Sequence, residues 1–195
     1  MSKLRQITQL SLLVLLTACA TDSDLGADHP AEYLDETTGG TITVVERPLI
    51  FARERRDLAA NARDYVTLAA ATVNRSGKVH YTLVGYVWST VDPRLRQSDT
   101  NNVVLLLSAD DRRIRLTSSG RTAAEQGIST PIHPPPGPSA APVVYETDLD
   151  TLRYLANAHR LALQLGAETT APSYAIWDDQ RAALARFVNF ITGGR

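Results

Sequence analysis

Asp64-Tyr-Val-Thr-Leu-Ala-Ala-Ala-Thr-Val-Asn74, then Arg75-Ser-Gly-Lys78, then Val79-His-Tyr-Thr-Leu-Val-Gly-Tyr-Val-Trp-Ser-Thr90: this stretch decides the fold. Both flanks read as strands, rich in β-branched and aromatic residues. Between them, Gly77 supplies the positive φ that a tight hairpin needs. The prediction is an antiparallel pair. Along its return strand, alternation places His80, Thr82, Val84, Tyr86 and Trp88 on one face.

Working outward, Asn102–Ser108 and Arg113–Thr117 form a second hairpin around Asp110-Asp111. In it Ile114 and Leu116 point one way while Arg113 and Arg115 point the other. Upstream, Thr41–Glu46 is a β-branched strand stopped by Arg47-Pro48, and Pro48–Arg63 reads as a long crossing between strands. Downstream, Pro131–Pro142 holds six of the chain's 10 prolines, which suits an extended surface connection and excludes a helix or central strand. Val143–Thr147, Arg160–Leu165 and Ser173–Trp177 read as further strands. A short helix begins near Asp148 with Leu149, Leu152 and Ala156 on one side. A final helix, capped by Asp178 and ended by Gly193-Gly194, places Leu184, Phe187, Val188 and Ile191 on one stripe. The expected class is α+β, mainly β: an antiparallel β-sandwich or curled sheet, with two late amphipathic helices packed on one face.

The 195 residues are 44% hydrophobic, ordinary for a folded chain. A net charge of −1 argues against a nucleic-acid partner, and a single cysteine excludes an internal disulfide or a multi-cysteine zinc site. Lys3 and Lys78 are the only lysines among 20 basic residues, a bias that reads as codon usage rather than chemistry.

The N-terminus carries an address. Lys3 and Arg5 make a positive n-region, and Leu10–Leu16 a short apolar run that cannot span about 30 Å of hydrocarbon. The run ends in Leu16-Thr17-Ala18-Cys19, which resembles the lipobox of bacterial lipoproteins. The resemblance implies removal of residues 1–18 and acylation of Cys19 as the new first residue. Several acyl chains on one residue anchor stably, at about 0.8 kcal/mol per buried methylene. Ala20 follows the cysteine rather than Asp, which by the same resemblance implies an outer-membrane lipoprotein facing the periplasm. Residues 19–40 then read as the lipidated cysteine and an acidic, disordered tether, with six acids and no Lys or Arg after Cys19. Residues 41–195 read as a single globular domain carrying 18 basic and 15 acidic side chains.

Catalytic signatures are missing: no nucleophile elbow, phosphate-binding glycine loop, zinc-binding His-Glu-Xaa-Xaa-His or calcium loop occurs. No cofactor and no metal site is expected. His80 beside Tyr86 and Trp88 is the one histidine placed where it could face a ligand or act as a base. His29 and His133 read as solvent-exposed, and His159 as structural. Arg53, Arg55 and Arg56 lie in the crossing beside Glu54 and Asp57, and are candidates for an anionic partner contacted through guanidinium forks.

These observations imply a non-enzymatic envelope protein, anchored by lipid and binding another envelope protein or a cell-wall component. The competing expectation is a lipid-anchored hydrolase of cell-wall or lipid material using His80. A scaffold with neither pocket nor apolar patch is the third.

Overall fold

The structure is a computed structural model and describes residues 29–92, 94, 103–137, 139–168 and 170–193. Its centre is the hairpin of β4 (Arg63–Arg75) and β5 (Lys78–Ser89), paired from Asp64↔Ser89 to Arg75↔Lys78. Ser76 (φ 51°) and Gly77 (φ 82°) are both left-handed, the requirement of a two-residue hairpin loop whose twist matches its strands. Asn74 Oδ1 accepts the Gly77 N–H at 3.2 Å and closes the turn.

β4 is buried along most of its length because both of its faces are covered. On the side away from β5, two strands share its edge. β2 (Gly40–Val44) pairs with Thr41↔Asn74 to Val44↔Ala71, and β3 (Leu49–Glu54) with Leu49↔Leu68 to Glu54↔Arg63. Arg47-Pro48 marks the step between them, where a proline cannot donate to the ladder. Two expectations are corrected here. The crossing from Pro48 opens with the six-residue strand β3 and continues as a turn. The tether stops short of residue 40, because Ala31–Asp35 is strand β1, paired from Ala31↔Val44 to Asp35↔Gly40. Tyr33 opposite Ile42 gives this acidic segment an apolar hold that its composition conceals.

The remaining strands are β6 (Val104–Ala109), β7 (Arg112–Thr117), β8 (Val143–Thr147), β9 (Leu161–Leu165) and β10 (Ser173–Asp178). All ten belong to one antiparallel sheet in the order β1-β2-β4-β3-β10-β9-β6-β7, with β5 and then β8 on the other side of β4. The architecture is therefore the curled sheet rather than the sandwich, and it curls until Ser118, just past β7, bridges Tyr145 of β8. The β6–β7 turn is fixed by Asp110 (φ 50°), whose carboxylate accepts the backbone N–H groups of His159 (3.0 Å) and Arg160 (2.8 Å).

Helix α1 (Leu149–Asn157) starts at Asp148, which accepts the Thr151 N–H at 2.6 Å. Helix α2 (Arg181–Ile191) starts at Gln180 without a side-chain cap; Asp178 ends β10 instead, and Asp179 pairs with Arg181. Leu152 and Leu155 of α1 and Ala183, Leu184, Phe187 and Val188 of α2 are buried in the core formed with Leu49, Phe51, Leu68, Leu83, Leu107 and Leu163 of the sheet. Burying one such side chain contributes about 1.5–3 kcal/mol. Among the described residues no helix is long and apolar enough to cross a membrane.

Candidate functional site

Alternation puts Tyr33, Ile42, Val44, Val73, Ala71 and Ala69 on the face of the sheet opposite that of Leu68, together with Val84, Tyr86 and Trp88. A bare apolar face of this size would be costly in water. It is crossed by the segment from Arg121 to Pro142, which buries Ile128, Ile132 and Ala140 against it. The proline run is thus a strap lying on the sheet, not a free connection. Its stiffness limits the entropy lost when it is laid down.

Polar contacts pin the strap at four points. Asp35, only 2% exposed, accepts the Ser129 N–H (2.7 Å) and hydroxyl (2.7 Å). The same carboxylate accepts the N–H groups of Thr37 (3.1 Å) and Thr38 (3.0 Å) in its own turn. Burial opposes its ionisation, but the Ser129 and Thr38 hydrogen bonds outweigh burial and hold its pKa at about 2. Thr38 also donates its hydroxyl to the Gly127 carbonyl (3.1 Å). His133, expected to be exposed, is half-buried and left-handed (φ 46°), and its Nε2–H donates to the Val45 carbonyl at 2.6 Å. Beyond it, the Ala140 N–H donates to the Val87 carbonyl (2.9 Å) and Ser139 bridges Trp88.

Two cavities flank strap residues Thr130–Ile132. One, of about 390 Å³, opens between β1 and the strap, with Tyr33, Val44, Glu46, Pro131, Ile132 and His133 among its walls. The Glu46 side chain is 3% exposed and pairs with Arg186 of α2 through one carboxylate oxygen, while the other oxygen is buried without a hydrogen-bond partner among the described residues. The second, of about 220 Å³, lies over β5, lined chiefly by Val84, Tyr86, Ala123, Ile128, Ile132 and Pro142. The Tyr86 hydroxyl is buried there with no partner in hydrogen-bonding geometry among the described residues. Burial raises its pKa, the nearby Ile132 N–H opposes the rise and Tyr33 adds to it, so the group stays a neutral phenol.

The residues singled out from the sequence part company here. Tyr86 lines the second cavity. Trp88 anchors the strap, stacking on Tyr65 (4.2 Å between centroids) and donating its indole N–H to Thr67 (2.9 Å). His80 shares their face but stands exposed at the hairpin tip, in a shallow hollow with Arg121, Glu125 and Glu146. It makes no side-chain hydrogen bond to a carboxylate or hydroxyl among the described residues. Arg53 (2.8 Å) and Arg55 (2.7 Å) converge on Asp64, on the opposite face of the sheet. Burial raises the Asp64 pKa, but hydrogen bonds from Arg53, Arg55 and Ser89 bring it below the ordinary carboxylate value. Arg56 is exposed and, among the described residues, pairs with Glu54 (2.8 Å). Cys19 lies outside the described residues. Tyr33, Asp35, Glu46, Ser129 and Ile132 were not legible as site residues. The Tyr33-Leu34 pair within an acidic run, followed by Gly39-Gly40, was the only signal of a strand and turn there.

The face offers apolar walls, fixed polar points and one ion-paired carboxylate. Among the described residues no group of three His, Cys, Asp or Glu side chains could hold a metal ion. No family model, no curated protein and no solved structure matches the chain.

Proposed function

We propose that this chain is a lipid-anchored protein of the bacterial envelope, held at the outer membrane facing the periplasm, and that its strapped sheet face binds another envelope component without chemical turnover. The observation that carries the binding reading is the strap itself, pinned across the sheet with a cavity on either side. The anchor rests on the Leu16-Thr17-Ala18-Cys19 sequence. With β1 beginning at Ala31, residues 20–30 separate it from the anchor, a reach of at most about 40 Å for that number of residues. The 390 Å³ cleft, with His29 at its border, would then lie close to the membrane surface.

Fractionation of cells expressing Cys19→Ser tests the anchor. Loss from the membrane fraction is expected, and full retention there would overturn it. A photo-crosslinking residue at the exposed Thr130 tests the binding face, with the hairpin tip at Val79 as control. One dominant envelope species captured from Thr130 and not from Val79 supports the proposal. Equal capture from both positions, or background alone, contradicts it.

A further inference from the structure

We infer that the 220 Å³ cavity takes an uncharged aliphatic chain bearing a carbonyl oxygen, with the Tyr86 hydroxyl as the hydrogen-bond donor to that oxygen. The inference deepens the binding reading above by naming the chemistry of what is bound. Among the described residues no charged side chain lines this cavity, so an ionised ligand would lose its hydration with no countercharge to replace it. Val84, Ile128 and Ile132, each nearly fully buried, supply apolar walls. The phenol is the exception. Its proton is buried and unspent, a state that costs about 1–3 kcal/mol unless an acceptor arrives.

Among the hydroxyls around the cavity, Thr122 donates to Glu125 (2.9 Å) and Ser129 to Asp35 (2.7 Å), while Thr130 stands exposed in the roof. A ligand that supplies one acceptor on an apolar body satisfies both features. Dry apolar cavities of about 150 Å³ hold benzene, so this one has room for a segment of about eight carbons. Its roof, Thr130–Ile132, is also a wall of the 390 Å³ cleft, which gives the rest of a longer chain a place beyond the strap.

The test titrates methyl octanoate, and separately octanoate, into the full chain carrying Cys19→Ser. It follows the methyl NMR signals of Val84, Ile128 and Ile132 and the melting temperature. Methyl octanoate should saturate these shifts, and octanoate should bind at least tenfold more weakly. Tyr86→Phe should weaken the ester about fivefold, the factor for one neutral hydrogen bond, without lowering the melting temperature. Ala123→Leu, which fills the cavity from the strap side, should abolish binding and serves if the Tyr86 variant does not fold. Equal binding of ester and anion, an unaltered Tyr86→Phe titration, or no saturation by the ester overturns the inference. Repeating the titration on the acylated chain separates two sources of the same chemistry. Exclusion of the probe assigns the cavity to the protein's own acyl group, and uptake assigns it to an acyl chain from outside. Specific crosslinking from Thr130 without ester binding would sink this inference alone; ester binding without a captured species would sink the partner and leave the inference.

Discussion

The β4–β5 hairpin and the strap lie against each other, yet they are built on opposite principles. The hairpin pairs residues that are near neighbours in sequence, around a two-residue turn. The strap is held by bonds such as Asp35 to Ser129 and His133 to Val45, which join residues 94 and 88 positions apart. The hairpin is secured by ladder and burial, and losing any one side chain thins a large sum. The strap hangs on a few polar points, and each can release it. Local pairing builds the platform, and long-range hydrogen bonds place the binding surface on it.

Mutations should separate the two. Asp35→Ala should have the largest effect, because it strips the acceptor from the half-buried Ser129 and from the β1–β2 turn. We expect a loss of about 2–4 kcal/mol, or roughly 5–15 °C in melting temperature. A change below about 2 °C would show that the strap does not depend on it. The same carboxylate has a pH signature. Its pKa of about 2 in the fold lies below its ordinary value, so its contribution is complete above about pH 4 and is lost as pH falls towards 2. Acid unfolding of Asp35→Asn should therefore be shallower across that window than that of the parent protein.

Two glycines sharpen the contrast. Both are left-handed, but a Cβ on Gly77 would meet nothing within 4 Å, whereas one on Gly127 would lie 3.0 Å from Val73 Cγ1 and 3.3 Å from Arg75. Gly77→Ala should cost about 1 kcal/mol from backbone strain. Gly127→Ala adds a clash under the strap and should cost about 2–3 kcal/mol. Equal melting temperatures for the two variants would mean that the strap yields freely. His133→Ala, which leaves the Val45 carbonyl without its donor, should cost about 1 kcal/mol by chemical denaturation. Arg56→Ala should change stability by less than about 0.5 kcal/mol, since its pair with Glu54 is exposed. A loss near that of Asp35→Ala would place the charged turn, not the strap, at the weak point.

What the sequence disclosed follows the same division. The strands of both hairpins, β8, β9 and β10 and both helices were legible because each writes its period and its turn locally. β1 was hidden by its acids: Glu32 and Asp35 read as solvated tether, but Asp35 faces Ser129 rather than water. β3 was hidden by the charges of Arg53 and Glu54, whose partners Asp64 and Arg63 sit on the adjacent strand. Tyr86 and Trp88 were placed correctly on one face by alternation. Alternation could not disclose that the strap would cover them while His80, on the same face, stayed in solvent. No spacing rule connects Asp35 to Ser129; only the folded sheet brings them together.

Hydrogen exchange at the amides of Ser129 and Ala140 in the full chain tests the docked strap most directly, since the proposed binding face depends on it. Both should exchange orders of magnitude more slowly than open loop amides, approaching those of β4, and Asp35→Ala should accelerate Ser129. Exchange at open-loop rates in the parent protein would contradict it.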